Sequence, residues 1–301
     1  MPTQQFVVGP EDEGERLDRL VALRAAVGRR RARELCQAGL VLVDGRRGRP
    51  ADTLTAGANV ELELPSEEAA PDPGLSLDVR LETSSIVVVY KPPGQASAPL
   101  GLGETGTLAN ALVARYPEMA KIGERVREPG LLHRLDTQTS GLVVACRKED
   151  AFRRLRAALR QGKLEKRYLA IATGTLADEG SIDDALAPDP RKRGRVRTAS
   201  PTGSGYARES LTRYRVLDRQ GPLLLVELRM SRGFRHQIRA HLAGAGAPLV
   251  GDTLYGGRPW PEHAERHALH ASYVAWAGDA TLDGFAVEAE LPSDMRELFG
   301  R

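Results

Sequence analysis

The stretch His133-Arg134-Leu135-Asp136, followed by Thr139-Ser140-Gly141 and then Leu142-Val143-Val144-Ala145-Cys146, decides how this chain is read. One acid stands beside two basic or potentially basic residues, in a short polar break between two apolar runs. The valine-rich run that follows predicts a strand. Such a break is where a carboxylate can be held rigidly and still open to a ligand. Taken alone, an Asp in a loop of this kind more often caps a turn than does chemistry. The choice between the two depends on whether the rest of the chain supplies parts that fit an ionised carboxylate.

Four further segments do so. Val88-Val89-Tyr90-Lys91-Pro92-Pro93-Gly94 reads as a strand that stops in a Pro-Gly turn. Lys166-Arg167-Tyr168-Leu169-Ala170 opens another strand. Gly233-Phe234-Arg235-His236-Gln237-Ile238-Arg239-Ala240-His241-Leu242 leads into Gly246-Ala247-Pro248-Leu249, Gly251-Asp252 and Tyr255-Gly256, and Ala268-Leu269-His270-Ala271 follows Arg266. Singly, each has a plain structural explanation: a strand stop, a core tyrosine, a surface arginine, a structural histidine. In this order, and beginning with His-Arg-Leu-Asp-x-x-Thr-Ser-Gly-Leu, they resemble the signature blocks of the RluA family of pseudouridine synthases.

The resemblance implies that Asp136 is the catalytic residue of an enzyme that detaches uracil from its ribose, turns it and rejoins it through carbon. Tyr168 stands where the family has its active-site tyrosine; a phenol can stack on uracil and make one polar contact through its hydroxyl. Arg239, which ends His-Gln-Ile-Arg, matches the cation that pairs with the Asp. A bidentate guanidinium lowers a carboxylate's pKa and fixes its orientation in a partly dry pocket. A stacked target base must be flipped out before reaction, and His133 and Arg134 are the candidates for holding the opened RNA or filling the vacated stack. Arg235 and His236 join this RNA-facing set. Where the family usually has Gly-Arg-Thr-His, this chain has Gly233-Phe234-Arg235-His236 with a further Arg at 232, which leaves open whether Arg232 or Arg235 meets phosphate. The Pro92–Gly94 turn is expected to support the cleft floor, and His270 to be structural. Whether Asp136 attacks the anomeric carbon or removes a ribose proton to give a glycal is also open, because both need the same ionised carboxylate.

Upstream, residues 14–64 read as a helix–helix–strand–turn–strand unit. Leu17, Leu20, Val21, Leu23 and Ala25 suggest a first short helix. Arg29–Leu40 suggests a second, with Ala32, Leu35 and Cys36 on one face and Arg29, Arg30, Arg31 and Arg33 opposite. Gly39 is its stop, and Leu40–Val43 and Val60–Leu64 are the strands. The order resembles the small RNA-binding domain named after ribosomal protein S-four, whose basic helix faces the RNA backbone. Residues 15–50 hold ten arginines against Glu15, Asp18, Glu34 and Asp44, a local net of +6 in a chain whose total is only +3. That is a footprint suited to a polyanion.

Residues 65–77, with three prolines and three acids, read as a semi-stiff linker, and 78–301 as the catalytic domain. There, Val79–Leu81, Ile86–Tyr90, Leu142–Cys146, Arg167–Thr173, Leu211–Leu217, Leu223–Met230 and Phe285–Leu291 are predicted strands. Thr107–Tyr116, Asp150–Arg160 and His236–Ala243 are predicted helices. The expected class is α+β: a pseudouridine synthase fold with a mixed, mainly antiparallel sheet, beside the small N-terminal α/β RNA-binding domain. Arg191–Arg197, five cations in seven residues, is expected to be a flexible loop on phosphate.

Cys36 and Cys146 stand far apart in apolar surroundings and read as buried small residues, not a metal pair or disulfide framework. No Gly-rich nucleotide loop and no Cys/His ligand set occurs in the sequence, so neither cofactor nor metal is expected. No apolar stretch has the length of a membrane span and the start lacks a signal peptide's pattern, so a cytoplasmic chain is expected, monomeric by default. The RNA-binding unit tilts the expected substrate toward large-subunit ribosomal RNA. Transfer RNA is the alternative substrate, and a non-catalytic RNA-binding or ribosome-assembly protein the alternative class. A nucleoside hydrolase would need a water-activating partner or metal cluster, which the sequence does not present.

Overall fold

The structure, a computed structural model, describes residues 3–192, 194–199, 207–230 and 232–300; Arg193, inside the basic stretch noted above, lies outside them. The chain divides into two units. One comprises the residues up to Ala70 together with Pro99–Thr105, and the other Pro71–Ala98 with the chain from Gly106 onward.

In the first unit, β1 (Thr3–Val7), α1 (Leu17–Arg24), α2 (Arg29–Ala38), β2 (Val41–Val43), β3 (Arg46–Arg47) and β4 (Asn59–Glu63) make an antiparallel sheet of order β1-β4-β2-β3 with two helices. The i, i+3, i+4 spacing of Ala32, Leu35 and Cys36 turns one face of α2 onto Leu17, Leu20, Val21, Val41, Val60 and Leu62. Gly39, left-handed at φ +77°, ends the helix. β1 went unforeseen because its residues are mostly polar and its partner is distant: Thr3 pairs with Glu63. Leu102 packs on this same core, which is why Pro99–Thr105 belongs to this unit.

The second unit is built on one large sheet. Its strands are β5 (Asp78–Glu82), β6 (Ile86–Lys91), β7 (Ser140–Cys146), β8 (Glu165–Thr173), β9 (Glu179–Ile182), β12 (Thr212–Gln220), β13 (Leu223–Arg229), β14 (Leu269–Gly278) and β15 (Asp283–Glu288). Their order is β5-β6-β7-β14-β8-β13-β12-β9, with β15 on the later part of β14. All pairs are antiparallel except β7 with β14, so the mixed, mainly antiparallel sheet is found. β10 (Ala185–Pro188) and β11 (Val196–Ala199) form a separate hairpin. The end of the basic stretch is therefore a paired strand, where a flexible loop was expected: Val196 is buried with Leu186, Ala240 and Tyr255.

Helices α3 (Leu108–Arg115), α4 (Glu149–Arg160), α5 (Gln237–Gly244) and α6 (Ser293–Phe299) complete the unit. α4 lays Ala151, Phe152, Leu155 and Ala158 on Val88, Leu142, Val144 and Val274. α6 packs Met295 and Phe299 on Ile171 and Leu225; Ile171 points away from the face that carries Tyr168 and Ala170. Both cysteines are free and buried. Among the described residues, no helix is long and apolar enough to cross a membrane.

Candidate active site

Asp136 lies on the link into β7, and that link is tied down at almost every residue. The Ser97 hydroxyl donates to the Leu135 carbonyl (2.8 Å) and accepts the Leu135 N–H (3.1 Å). The Thr139 N–H donates to the Asp136 carbonyl (3.0 Å), closing the turn. Thr139 Oγ1 meets His267 Nε2 at 2.8 Å, and Arg266 donates to the Gln138 carbonyl at 3.3 Å. The Pro-Gly turn after β6 acts through Lys91, whose buried ammonium donates to the carbonyls of Pro92 (2.8 Å), Gln95 (2.8 Å) and Thr137 (3.1 Å). Burial pushes that amine down to about 7, against the pull of the Asp136 charge. Gly141 sits where β7 meets β14: at φ +118°, a Cβ there would stand 2.2 Å from the Ala271 carbonyl oxygen. The Thr-Ser-Gly part of the signature therefore docks this link against residues 266–271.

The partner of Asp136 is Arg239, on α5. Its NH1 donates to Asp136 Oδ2 at 2.9 Å, while Nε and NH2 bind Asp252 in bidentate fashion at 2.6 and 2.9 Å. The two-pronged contact expected for Asp136 thus goes to Asp252, whose side chain is 1% exposed; Asp136, at 28%, is partly exposed. Asp252 orients the guanidinium and leaves one N–H for the open carboxylate. The Arg239 guanidinium also lies 5.2 Å from the centre of the Tyr255 ring, whose hydroxyl accepts the Val196 N–H and lies 3.1 Å from His236 Nδ1. Asp252 and Tyr255 were quoted in the sequence only as parts of a motif; the pattern Gly-Asp-x-x-Tyr-Gly was the available signal.

Burial works against ionisation of Asp136, but His236, Arg239 and His267 around it outweigh burial and hold its carboxyl below the usual carboxylate range. Burial also drives His236 and His267 themselves down to about 4. At neutral pH both rings are uncharged, and Arg239 is the permanent cation of the three. His236 Nε2 lies 3.8 Å from Asp136 Oδ2, and the residue caps α5 with left-handed backbone at φ +54°, an uncommon conformation for a residue other than glycine. Tyr168, buried on β8, is near enough to feel the Asp136 charge. Burial and that charge push its phenol above the ordinary range, so it stays protonated.

The predicted RNA-facing residues divide. His133 is half-buried, its Nε2 accepts the Val144 N–H at 3.3 Å, and burial takes it down to about 3; it is a neutral ring, not the potential cation of the sequence reading. Arg134 is exposed and pairs with Glu128 at 2.9 Å. Arg235 is exposed beside the entry to α5. On α2, Arg29 and Arg30 are exposed, and Arg33 is half-exposed on buried Asp18 at 2.7 Å. Asp18 is held at about 2 by the hydrogen bond from Arg16 and then by Arg33, against burial. Arg31 departs from expectation: it is buried, donates to the Pro65 carbonyl and pairs with Glu67 at 2.9 Å, so it fastens the start of the 65–77 segment instead of facing outward. His270 is buried against the Ser140 hydroxyl at 2.9 Å, as a structural histidine would be.

The structure thus brings together an ionised carboxylate on a fixed link, one locked arginine and a protonated phenol, carried on a mixed sheet. The family model for RNA pseudouridylate synthases matches residues 85–244, and that for the S4 domain matches residues 15–60. A protein of Chloroflexus aurantiacus named as an uncharacterized RNA pseudouridine synthase is 37% identical over 96% of this chain and 90% of its own length. The ribosomal large subunit pseudouridine synthase D of Xanthomonas campestris is 32% identical, over 98% of this chain and 91% of its own. The solved structure of human RNA pseudouridylate synthase domain containing 4 has the same fold, with a TM-score of 0.56 at 22% identity over 72% of this chain and 89% of that one. The chain belongs to the RNA pseudouridylate synthase family, isomerases that convert uridine in RNA to pseudouridine, and it carries an S4 domain at its N-terminal end.

Proposed function

We propose that this enzyme isomerises uridines of large-subunit ribosomal RNA, with Asp136 as its catalytic carboxylate. The observation that carries the reading is the Asp136–Arg239–Asp252 arrangement, which keeps one partly exposed carboxylate ionised while the other, buried one orients the arginine. Asp136 acts on the sugar of a flipped uridine, Arg239 maintains its charge, and Tyr168 packs on the base with a phenol that can donate but not accept a proton at neutral pH. The choice of RNA follows the names of the relatives and the arginine-rich N-terminal module. Residues 14–64 grip the RNA backbone through Arg29, Arg30 and Arg33. Residues 65–77 lead to the catalytic domain at 78–301, where His133, Arg134, Arg235 and His236 line the approach of the substrate. The protein acts as a monomer in the cytoplasm, where ribosomal RNA of bacterial type is made.

Mapping pseudouridines in total RNA from cells with and without this gene tests the substrate. The expected result is loss of one or more sites in large-subunit ribosomal RNA; losses confined to transfer RNA would move the substrate. Asp136→Asn tests the residue: pseudouridine formation should fall to background with folding and RNA affinity nearly intact. Retained activity would overturn the assignment.

A further inference from the structure

Lys166 takes no part in the chemistry above. It precedes Tyr168 by two residues on β8, so strand alternation sends both side chains to the same face of the sheet. The residue is only 5% exposed, yet its amine has no hydrogen bond or ion pair among the described residues. An ammonium in such a place normally has carbonyls or a carboxylate, as Lys91 has three carbonyls. Burial lowers Lys166 to about 8, and no carboxylate charge contributes, so at neutral pH it remains mainly protonated and unanswered.

Its surroundings narrow the ligand. His133, close enough to feel the lysine's charge, spends Nε2 on the Val144 N–H, so it is a neutral ring and supplies no counter-charge to the amine. Gly233 stands over the amine: a Cβ there would lie 3.7 Å from Nζ, so the missing side chain is what leaves the amine uncovered. A mainly charged donor without a protein partner among the described residues calls for an anionic group that only accepts. A uracil edge would also present its N3–H to donors, whereas a phosphodiester has acceptor oxygens alone.

We propose that Lys166 seats a phosphodiester oxygen of the RNA substrate next to the uridine engaged by Asp136 and Tyr168. This rests on the reading of the chain as an RNA-modifying enzyme, so the assay begins with the wild-type protein on a stem-loop RNA carrying the mapped uridine. If wild type forms no pseudouridine there, that substrate reading fails and the Lys166 assignment falls with it. With wild type active, Lys166→Met should raise KM about tenfold, leave kcat within about twofold, and make log(kcat/KM) against log[salt] shallower by roughly 0.7 to 1. Gly233→Leu, which covers the amine without removing it, should shift KM and the salt slope the same way. A single methylphosphonate placed in turn at the phosphates flanking the uridine should weaken wild type about tenfold at one position and leave Lys166→Met indifferent at that position. The melting temperature of Lys166→Met should be no lower than wild type, because a charge in a mostly buried position, without a protein partner among the described residues, gives way to an apolar chain. An unchanged KM and salt slope would overturn the proposal. So would a fall in kcat alone, which would put Lys166 in the chemistry, or a methylphosphonate effect that persists in Lys166→Met.

Discussion

Arg239 makes three hydrogen bonds to two carboxylates, and their unequal burial separates two roles that sequence reading had assigned to one pair. Asp252 holds the guanidinium; Asp136 uses it. Asp252→Asn therefore tests orientation without touching the carboxylate proposed to react. The amide keeps one oxygen acceptor but presents donors to Arg239, so the bidentate grip is lost and NH1 drifts from Asp136. The expected result is a fall in kcat of about 10²-fold, as for a small misplacement of a reacting group, with a stability loss of about 1–3 kcal/mol. Single-turnover kinetics and a urea titration check the two effects, and wild-type kcat would show that Asp136 needs no such support. The Asp136–Arg239 pair was legible from motif order. Asp252 was not, because a Gly-Asp step does not say which side chain will turn inward.

At the scale of elements, the signature around Asp136 is chiefly a docking surface for β14. Gly141 occupies a positive φ against the Ala271 backbone, where β7 and β14 pair in parallel at His270–Ser140 and Ala271–Gly141. Gly141→Ala must pay for both strain and overlap, and should destabilise the protein by roughly 2–4 kcal/mol. Urea unfolding measures this; a change under about 0.5 kcal/mol, the ordinary surface range, would mean that the strands part easily here. The strands that matched expectation, β2, β4, β5 to β8, β12, β13 and β15, have alternating or apolar residues that mark them locally. Those missed include β1, β3, β9, β10 and the strand character of Val196–Ala199, together with α6. Their residues are polar or few, and distant partners stabilise them: β9 through β12, and α6 through Ile171 and Leu225. Arg31 is the same lesson within a helix. Its neighbours face outward as the 3.6-residue period requires, but the chain returning at Pro65 and Glu67 covers that one position.

Over the whole molecule, buried imidazoles set the acid response. His236, His267 and His270 are lowered to about 4 by burial, and His133 to about 3. Their unfolded value is about 6.5, so between pH 6.5 and 4 the unfolded chain binds protons that the folded one refuses, and stability falls as pH falls. Each fully buried ring contributes on the order of 3 kcal/mol of that loss by pH 4. Carboxylates such as Asp18, held at about 2, lose their contribution only below the ordinary Asp value near 4, so the histidine loss comes first. The urea midpoint should therefore drop steeply from pH 6.5 to 4, and a flat midpoint over that range would contradict the burial of these rings. Activity should share the acid limb, since protonating His236 or His267 adds positive charge beside Asp136 and disturbs the link through Thr139.

By itself the sequence determined the family, the strand-rich class, the basic N-terminal module and the pairing of Asp136 with Arg239, because those depend on local periodicity and on motifs whose order survives without coordinates. Tertiary structure decided which carboxylate clamps Arg239, which arginine of α2 turns inward, why Gly141 must lack a side chain, and that Lys166 lies mostly buried without a partner among the described residues. These are set by the approach of segments far apart in the chain, where burial removes water and each charge must be answered by whatever group the fold brings beside it.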